Sequence, residues 1–300
     1  MTLQYLSLPN APLDQADVII LPVPYERTVT YRPGTGAAPV AILAASDQLE
    51  LYEEDMRWDP AAHMGLTVLP AYESAPLESE ADYHAGLQRQ AASLPGEPLL
   101  IALGGEHSIT PSLAAGRMPG AGTIVHIDAH ADLRASYQGS IYNHACPAYR
   151  LRQAGHRLIQ IGVRSLCEEE AALIAADDGI STWFDRELAR PDAWNALLDQ
   201  LQDLSGQVWL TMDMDGLDPA LAPGVGTPQP GGLGWHQTLD VLQAVLANAS
   251  LDVRGVDIVE LVPEPSRVSD MTAAKLVQKC MSYWGKARGF EANPIRAKSS

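Results

Sequence analysis

Asp128, His130 and Asp132 lie two residues apart in the segment VHIDAHADLR. In an extended strand, successive side chains alternate between the two faces, so we expect these three groups to point the same way. Asp213 and Asp215 repeat the same spacing in DMDGLDP. Carboxylates and imidazoles aligned in this manner at the end of an apolar segment indicate a site that holds a cation.

Two more ionisable residues follow apolar segments elsewhere in the chain. His107 comes just after PLLIALGG, and Glu260 ends RGVDIVE. Because the carboxyl ends of parallel strands meet at one edge of a sheet, all of these groups are expected there together. An Asp at a strand end often serves only a turn, and DMDG lacks the acids that complete a calcium-binding loop. Taken together, however, so many neighbouring acids require a cation.

The charge count favours two metal ions. Four carboxylates and two neutral imidazoles are available, from Asp128, Asp132, Asp213, Asp215, His107 and His130. Two divalent cations would balance this set and leave room for a bridging hydroxide, with the ions about 3.5–4 Å apart. A ligand set of carboxylate and imidazole without thiolate suits manganese, although iron, nickel, cobalt or zinc could occupy it.

Short apolar segments that alternate with helix-compatible stretches must position these residues. The segments span residues 17–22, 65–70, 98–105, 122–128, 157–163, 180–185, 207–213 and 254–260. This alternation predicts a mostly parallel sheet covered by helices on both faces. No repeat or flexible linker divides the chain, so residues 1–300 are expected to form a single domain.

Composition excludes several classes of protein. The formal net charge of −17 argues against a nucleic-acid partner, whose binding domain would normally be basic. We see no leader sequence and no stretch of transmembrane length, so no membrane partner is expected. Cys146, Cys167 and Cys280 form no paired motif, which predicts a reduced, cytoplasmic protein.

The C-terminal end is unusually basic. Six Lys and Arg residues lie in its last 26 positions: Lys275, Lys279, Lys286, Arg288, Arg296 and Lys298. We interpret this as a solvated basic tail from about residue 286, or as a contact between subunits.

The motifs resemble those of one family, the ureohydrolases, which comprises arginases, agmatinases and their relatives. GGEHS, DAHAD and MDMDGLDPALAPGVGTPQPGGL resemble its signatures in order and separation, and DIVELVPE resembles its last motif. With YRPGTGAAPVAIL near the start, the resemblance covers nearly the whole chain. It implies a three-layer α/β/α fold around an eight-stranded, mostly parallel sheet, and a homo-oligomer that is a trimer or a hexamer.

The resemblance also implies a ligand set for each of two manganese ions per subunit. One ion would be held by His107, Asp128, Asp132 and Asp213. The other would be held by Asp128, His130, Asp213 and Asp215, with Asp128 and Asp213 shared. Glu106 and Thr211 depart from the family's more usual Asp and Ser, but neither position is a metal ligand in the family.

Three residues have implied catalytic roles: Asp128, His144 and Glu260. Glu260 would bind the guanidinium group of the substrate, and His144 would give a proton to the leaving amine. The chemistry is consistent, because a guanidinium is a poor electrophile and needs a hydroxide made available by two cations. A carboxylate matches the planar N–H fork, and a histidine titrates in the range that proton transfer needs. His126 lies deeper in its strand, where we expect a hydrogen-bonded structural role.

The segment DLRASYQGSIYNHA and YRPGT resemble agmatinases more than arginases. They favour agmatine as the substrate and urea and putrescine as the products. Guanidinobutyrase, arginase and formimidoylglutamase activities remain open, and an acidic substrate could bind Arg134. Outside the family, the alternatives are a mono-zinc deacetylase-like enzyme, which metal stoichiometry would distinguish, and a non-catalytic assembly protein, in which Glu260 and His144 would not be needed.

Overall fold

The protein is described by a computed structural model that covers residues 3–75 and 77–292. Eight parallel strands form one sheet: β1 (Val18–Val23), β2 (Leu66–Val68), β3 (Leu99–Gly104), β4 (Thr123–Ile127), β5 (Arg157–Val163), β6 (Ile180–Phe184), β7 (Gly206–Asp213) and β8 (Leu251–Val259). Each corresponds to an apolar segment of the sequence. The predicted fold class is therefore confirmed.

Helices connect the strands and cover the sheet. Their bounds are α1 (Ala38–Ser46), α2 (Glu80–Ser93), α3 (Thr110–Arg117), α4 (Pro147–Gln153), α5 (Glu168–Ala176), α6 (Asp185–Leu188), α7 (Pro191–Gln202), α8 (Trp235–Leu246) and α9 (Val268–Ala287). Local sequence fixes several of their ends. At α2, for example, the Ser79 hydroxyl accepts a hydrogen bond from the Asp82 backbone N–H and so caps the first turn.

Alternation along the strands sorts the core into two halves. In β1, Val18 and Ile20 pack into one hydrophobic cluster, whereas Ile19, Leu21 and Val23 pack into the other. Residues of α1, α7, α8 and α9 line the first cluster, and residues of α2, α3 and α4 line the second. Most strand residues are thus buried on both faces, although the edge strand β6 is only partly buried after Ile180, and this burial explains why most of the strand sequences are nearly continuous apolar runs.

The strand order decides where the polar residues meet. It runs β2-β1-β3-β8-β7-β4-β5-β6 across the sheet. The four strands that precede the predicted site residues, β3, β8, β7 and β4, are consecutive neighbours at its centre. Residues that are far apart in the sequence are therefore delivered to one place.

The first two lysines of the basic C-terminal end belong to a helix. Lys275 and Lys279 lie on α9, and Lys279 is completely buried, with its ammonium group bonded to Glu53 and to Glu54. The sequence could not show that a distant loop supplies a buried counter-charge for Lys279. Both lysines precede the tail predicted from about residue 286, which stays a prediction. Arg296 and Lys298 lie outside the described residues. In the part of the chain that the structure describes, no helix is both long and apolar enough to cross a membrane.

Candidate active site

The predicted site residues lie where the four central strands end. His107 follows β3, Asp128 follows β4, Asp213 is the last residue of β7, and Glu260 comes directly after β8. Ile127 pairs with Met212, and Asp213 pairs with Val259. Asp128 and Glu260 come directly after Ile127 and Val259, so they leave the sheet at nearly the same level as Asp213. The parallel register alone thus gathers the groups within a small volume.

The convergence of Asp128, His130 and Asp132 has a different cause from the predicted one. β4 ends at Ile127, so the three residues lie in a loop and strand alternation does not align them. The loop curls back instead: the Asp128 carboxylate accepts the His130 backbone N–H at 2.6 Å, and Asp132 has a positive φ of 52°. Left-handed backbone is unfavourable for a residue with a side chain, and its presence here marks a constrained segment.

One group of ligand atoms surrounds His107. Its Nδ1 atom lies 3.1 Å from Asp128 Oδ2, 3.4 Å from Asp132 Oδ2 and 3.3 Å from Asp213 Oδ2. All four side chains are buried. Carboxylates packed this closely repel one another unless a positive charge lies among them.

The other side of the His107 ring shows which atom carries the hydrogen. The Thr211 hydroxyl donates to Asp257 at 2.5 Å and lies 2.8 Å from His107 Nε2, so Nε2 must be the donor of that second hydrogen bond. In the neutral ring, Nδ1 is then a bare lone pair that faces three carboxylates and has no hydrogen-bond partner among residues 3–75 and 77–292. A metal ion fits this arrangement, since it accepts the lone pair and neutralises the acids.

The pKa values report the same crowding of negative charge. Burial, followed by the neighbouring Asp128, raises the pKa of Asp132 to about 6. Burial, followed by Asp215 and Asp128, raises the pKa of Asp213 well above its ordinary value. Both shifts favour binding of a cation or a proton, and a divalent cation supplies more charge than one proton.

A second group of possible ligands lies beside the first. His130 Nδ1 is 3.1 Å from Asp215 Oδ2 and 3.5 Å from Asp128 Oδ1. Asp128 therefore faces the His107 group with one oxygen and the His130 group with the other. Asp213 meets the first group through Oδ2, while its Oδ1 accepts the Asp215 backbone N–H at 2.8 Å. The cluster could hold metal in two adjoining places that share Asp128.

His126 contacts the cluster without being a good ligand. Its Nε2 lies 2.7 Å from Asp128 Oδ2, and the Gln160 amide nitrogen lies 3.1 Å from its Nδ1. Since the Gln160 amide donates to Nδ1, the hydrogen of the neutral His126 ring sits on Nε2 and points at Asp128. His126 thus orients Asp128. This role agrees with its position in β4, two residues before Asp128.

Sequence reasoning overlooked Asp257, which supports the site from beneath. This fully buried carboxylate accepts hydrogen bonds from Trp209, Thr211 and Thr110. Through Thr211 it fixes the orientation of the His107 ring. The signal was an Asp in the middle of the apolar segment RGVDIVE, which needs buried partners.

Glu260 is buried at the edge of the same cavity. Its Oε1 accepts the His107 backbone N–H at 2.6 Å, and its backbone has a positive φ of 63°. That conformation costs about 1–3 kcal/mol, which the surrounding structure must offset. Burial, followed by the neighbouring Glu106, raises the pKa of Glu260 well above its ordinary value. A cation placed against Glu260 would keep it ionised.

A cavity of about 150 Å³ joins Glu260, His144 and the cluster of possible ligands. Its lining includes Thr30, His130, Asp132, Arg134, Tyr137, His144, Asp213, Thr227 and Glu260. Larger depressions of about 550 Å³ occur elsewhere, for example between α7 and α8, but that one gathers no comparable set of ionisable side chains.

Two features of this lining were not foreseen. The Arg134 guanidinium lies over the Tyr137 ring, 4.8 Å from its centroid, which gives a physical reason for an arginine at the cavity. His144 is held by Thr28, whose hydroxyl oxygen lies 3.1 Å from its Nδ1. Burial lowers the pKa of His144 to about 4, partly opposed by its hydrogen bond with Thr28.

Comparison with known proteins gives a consistent result. Residues 16–283 match the profile of the arginase family. The chain is 37% identical over 288 residues to an N(1)-aminopropylagmatine ureohydrolase of Synechocystis, covering 91% of this chain and 90% of that protein. It is 35% identical over 277 residues to an agmatinase of Pyrococcus horikoshii, covering 91% and 93%. The solved agmatine ureohydrolase of Thermoplasma volcanium superposes with a TM-score of 0.82 at 29% identity, covering 92% of both chains.

Proposed function

This chain belongs to the arginase family, and on that premise we propose that it hydrolyses the guanidinium group of agmatine to urea and putrescine. The membership confirms the ureohydrolase resemblance of GGEHS, DAHAD and MDMDGLDP. One observation carries the proposal: a single cavity brings together Glu260, His144 and a cluster of possible metal ligands.

We propose that two manganese ions occupy the cluster. The residues that would hold them are His107, Asp128, His130, Asp132, Asp213 and Asp215, and the bare Nδ1 of His107 supports this assignment. Carboxylate and imidazole ligands without thiolate suit manganese. When bound, two divalent cations would lower the pKa of water and so supply a nucleophile at neutral pH.

Glu260 is proposed to bind the guanidinium group. Its carboxylate is buried, and no basic side chain within residues 3–75 and 77–292 forms an ion pair with it. A planar cationic substrate can supply that missing charge and form hydrogen bonds in a fixed orientation. Burial raises the pKa of Glu260, so a cationic partner would stabilise its ionised form.

His144 is proposed to supply the proton to the departing amine. An alkylamine is a poor leaving group until it is protonated, and a positioned histidine can perform this transfer. His144 lines the same cavity as Glu260, so it can reach one end of a guanidinium held there. Asp128 would contribute by holding both metal positions in register.

N(1)-aminopropylagmatine is the second candidate substrate. Relatives with that name include proteins of Synechocystis and Thermus thermophilus, at 37% and 34% identity, whereas the agmatinase of Pyrococcus horikoshii is 35% identical. Both substrates present the same guanidinium to Glu260 and differ only in the length and charge of the tail. Arg134 lines the cavity, and its positive charge would oppose a longer polycationic tail placed beside it.

The test is urea release by the manganese-loaded protein from agmatine, N(1)-aminopropylagmatine, arginine and 4-guanidinobutyrate, each with a chelated control. Chelator-sensitive release from agmatine above the others supports the proposal. A preference for the aminopropyl substrate selects the second candidate, and a preference for a carboxylated substrate assigns Arg134 to carboxylate binding. No release from any of them, with two metals bound per subunit, would refute the proposed guanidinium site. A single bound zinc would favour the deacetylase-like alternative.

We also propose that the protein acts in the cytoplasm as a homo-oligomer, a trimer or a hexamer. Three unpaired cysteines are compatible with a reducing compartment. Light scattering of the purified protein would give the number of subunits directly.

A further inference from the structure

Glu106 is a buried acid beside the active site that the proposed reaction does not yet use. Its Oε2 atom accepts the backbone N–H groups of Arg27 at 2.6 Å and of Thr28 at 2.7 Å. Its Oε1 atom accepts the hydroxyls of Thr28 at 2.9 Å and of Ser108 at 2.6 Å. Burial raises the pKa of Glu106, and these four hydrogen bonds moderate that rise. The loop that contains Thr28 is therefore anchored to a single carboxylate.

The Thr28 hydroxyl carries this arrangement on to His144. A hydroxyl has one hydrogen to donate, and here it is directed to Glu106. Towards His144 the same oxygen can only accept. It accepts the His144 backbone N–H at 3.0 Å, and it lies 3.1 Å from the ring Nδ1. The hydrogen of a neutral His144 ring must then lie on Nδ1.

The other ring nitrogen faces the substrate cavity. His144 Nε2 has the Thr30 hydroxyl 3.5 Å away, at the limit of a hydrogen bond, and Thr30 also lines the cavity. Nε2 is thus the atom that can accept a proton and pass it to a bound substrate.

We propose that Glu106 is a positioning residue that acts through Thr28: the pair holds His144 in the tautomer with its hydrogen on Nδ1 and leaves Nε2 for proton exchange with the substrate. The tautomer follows from the hydrogen-bond chain alone, while its effect on rate rests on the proposed release of urea. The Thr28 oxygen accepts Nδ1–H in both the neutral and the protonated ring, so proton exchange at Nε2 leaves this hydrogen bond in place.

Glu106→Gln provides a directional test. The new amide must keep its oxygen on the two backbone N–H groups, so its NH2 group faces the Thr28 hydroxyl. That hydroxyl then turns its hydrogen to His144 Nδ1, and the tautomer inverts to Nε2–H. A residue that merely fills space or supports the loop would leave the tautomer as it was.

Nitrogen NMR of ring-labelled histidine reads the tautomer directly. The protein is loaded with magnesium, because manganese is paramagnetic, and the His144 signals are assigned from their loss in His144→Gln. We expect Nδ1–H in the natural protein and Nε2–H in Glu106→Gln. Ser108→Ala removes the other hydroxyl from the same carboxylate oxygen and should leave Nδ1–H unchanged. An Nε2–H tautomer in the natural protein, or no inversion in Glu106→Gln, would overturn the proposal.

Kinetics test the consequence separately. Thr28→Val removes the hydroxyl and should lower kcat for urea release by about tenfold with little change in KM, because proton transfer as a whole contributes about 100-fold or more. Thr28→Ser keeps the hydroxyl and should restore most of the rate. Equal losses in Thr28→Val and Thr28→Ser would overturn the proposed effect on rate. If the natural protein releases no urea, the proposed function fails, but the NMR measurement still decides the tautomer.

Discussion

Thr211→Val is expected to weaken metal binding although Thr211 is not itself a ligand. The substitution keeps the shape of the side chain and removes the hydroxyl that accepts His107 Nε2–H at 2.8 Å and donates to Asp257 at 2.5 Å. His107 then loses the partner that holds its hydrogen on Nε2. A hydrogen on Nδ1 would occupy the lone pair that faces Asp128, Asp132 and Asp213.

The expected loss is about 10–100-fold in affinity, the usual effect of removing a partner that orients a metal ligand. This corresponds to about 1.4–2.8 kcal/mol of binding free energy. The His107 N–H left without a partner is buried, and such a group costs about 1–3 kcal/mol, a range that agrees with the first.

The assay is competition between the protein and a chelator of known affinity for manganese, followed by the signal of free manganese. Thr238→Val is the matched control. Thr238 is also buried and its hydroxyl donates to the Gly234 carbonyl, but it lies in α8, away from the possible metal ligands. It should lower stability slightly and leave manganese affinity unchanged. If the manganese affinity of Thr211→Val lies within twofold of that of the natural protein, the assignment of His107 Nδ1 as a ligand is refuted.

Three further predictions concern the substrate, pH and the core. Glu260→Gln should lower kcat/KM for urea release by about 30-fold or more, since a buried charge pair is worth about 2–5 kcal/mol, and metal content measured in parallel should be unchanged. Metal affinity should fall as the pH drops below about 6, because burial raises the pKa of Asp132 to about 6 and a protonated carboxyl is a poor ligand. Metal affinity that stays constant down to pH 5 would contradict this prediction. Lys279→Met should lower the free energy of unfolding, measured by denaturant titration, by about 3–5 kcal/mol, because it leaves Glu53 buried and unpaired. The double variant Lys279→Met with Glu53→Gln should recover part of that loss.

Strand alternation predicted the right cluster for a partly wrong reason. Asp128, His130 and Asp132 do converge, but β4 stops before them and a loop with left-handed Asp132 brings them together. Periodicity is a reliable guide only where the backbone is regular. At the end of a strand, the hydrogen bond from His130 N–H to Asp128 and the contact with Asp215 decide the geometry.

The buried pair of Lys279 and Glu53 shows a second limit of sequence reasoning. A lysine in a basic segment is normally solvated, and nothing near it in the sequence indicates a partner. Glu53 lies 226 residues away, and only packing of α9 against its loop makes the pair. Long-range contacts of this kind carry no local signal.

The sequence by itself determined the eight apolar strands, the parallel α/β class and the ionisable residues at the strand ends. These properties are local, because side-chain periodicity and composition express them within a few residues. Only the tertiary structure decided that β3, β8, β7 and β4 are neighbours, that Asp257 and Thr211 set the His107 ring, and that Glu106 reaches His144 through Thr28. Strand order and hydrogen-bond direction depend on how all the elements pack together, so they exist only in the folded chain.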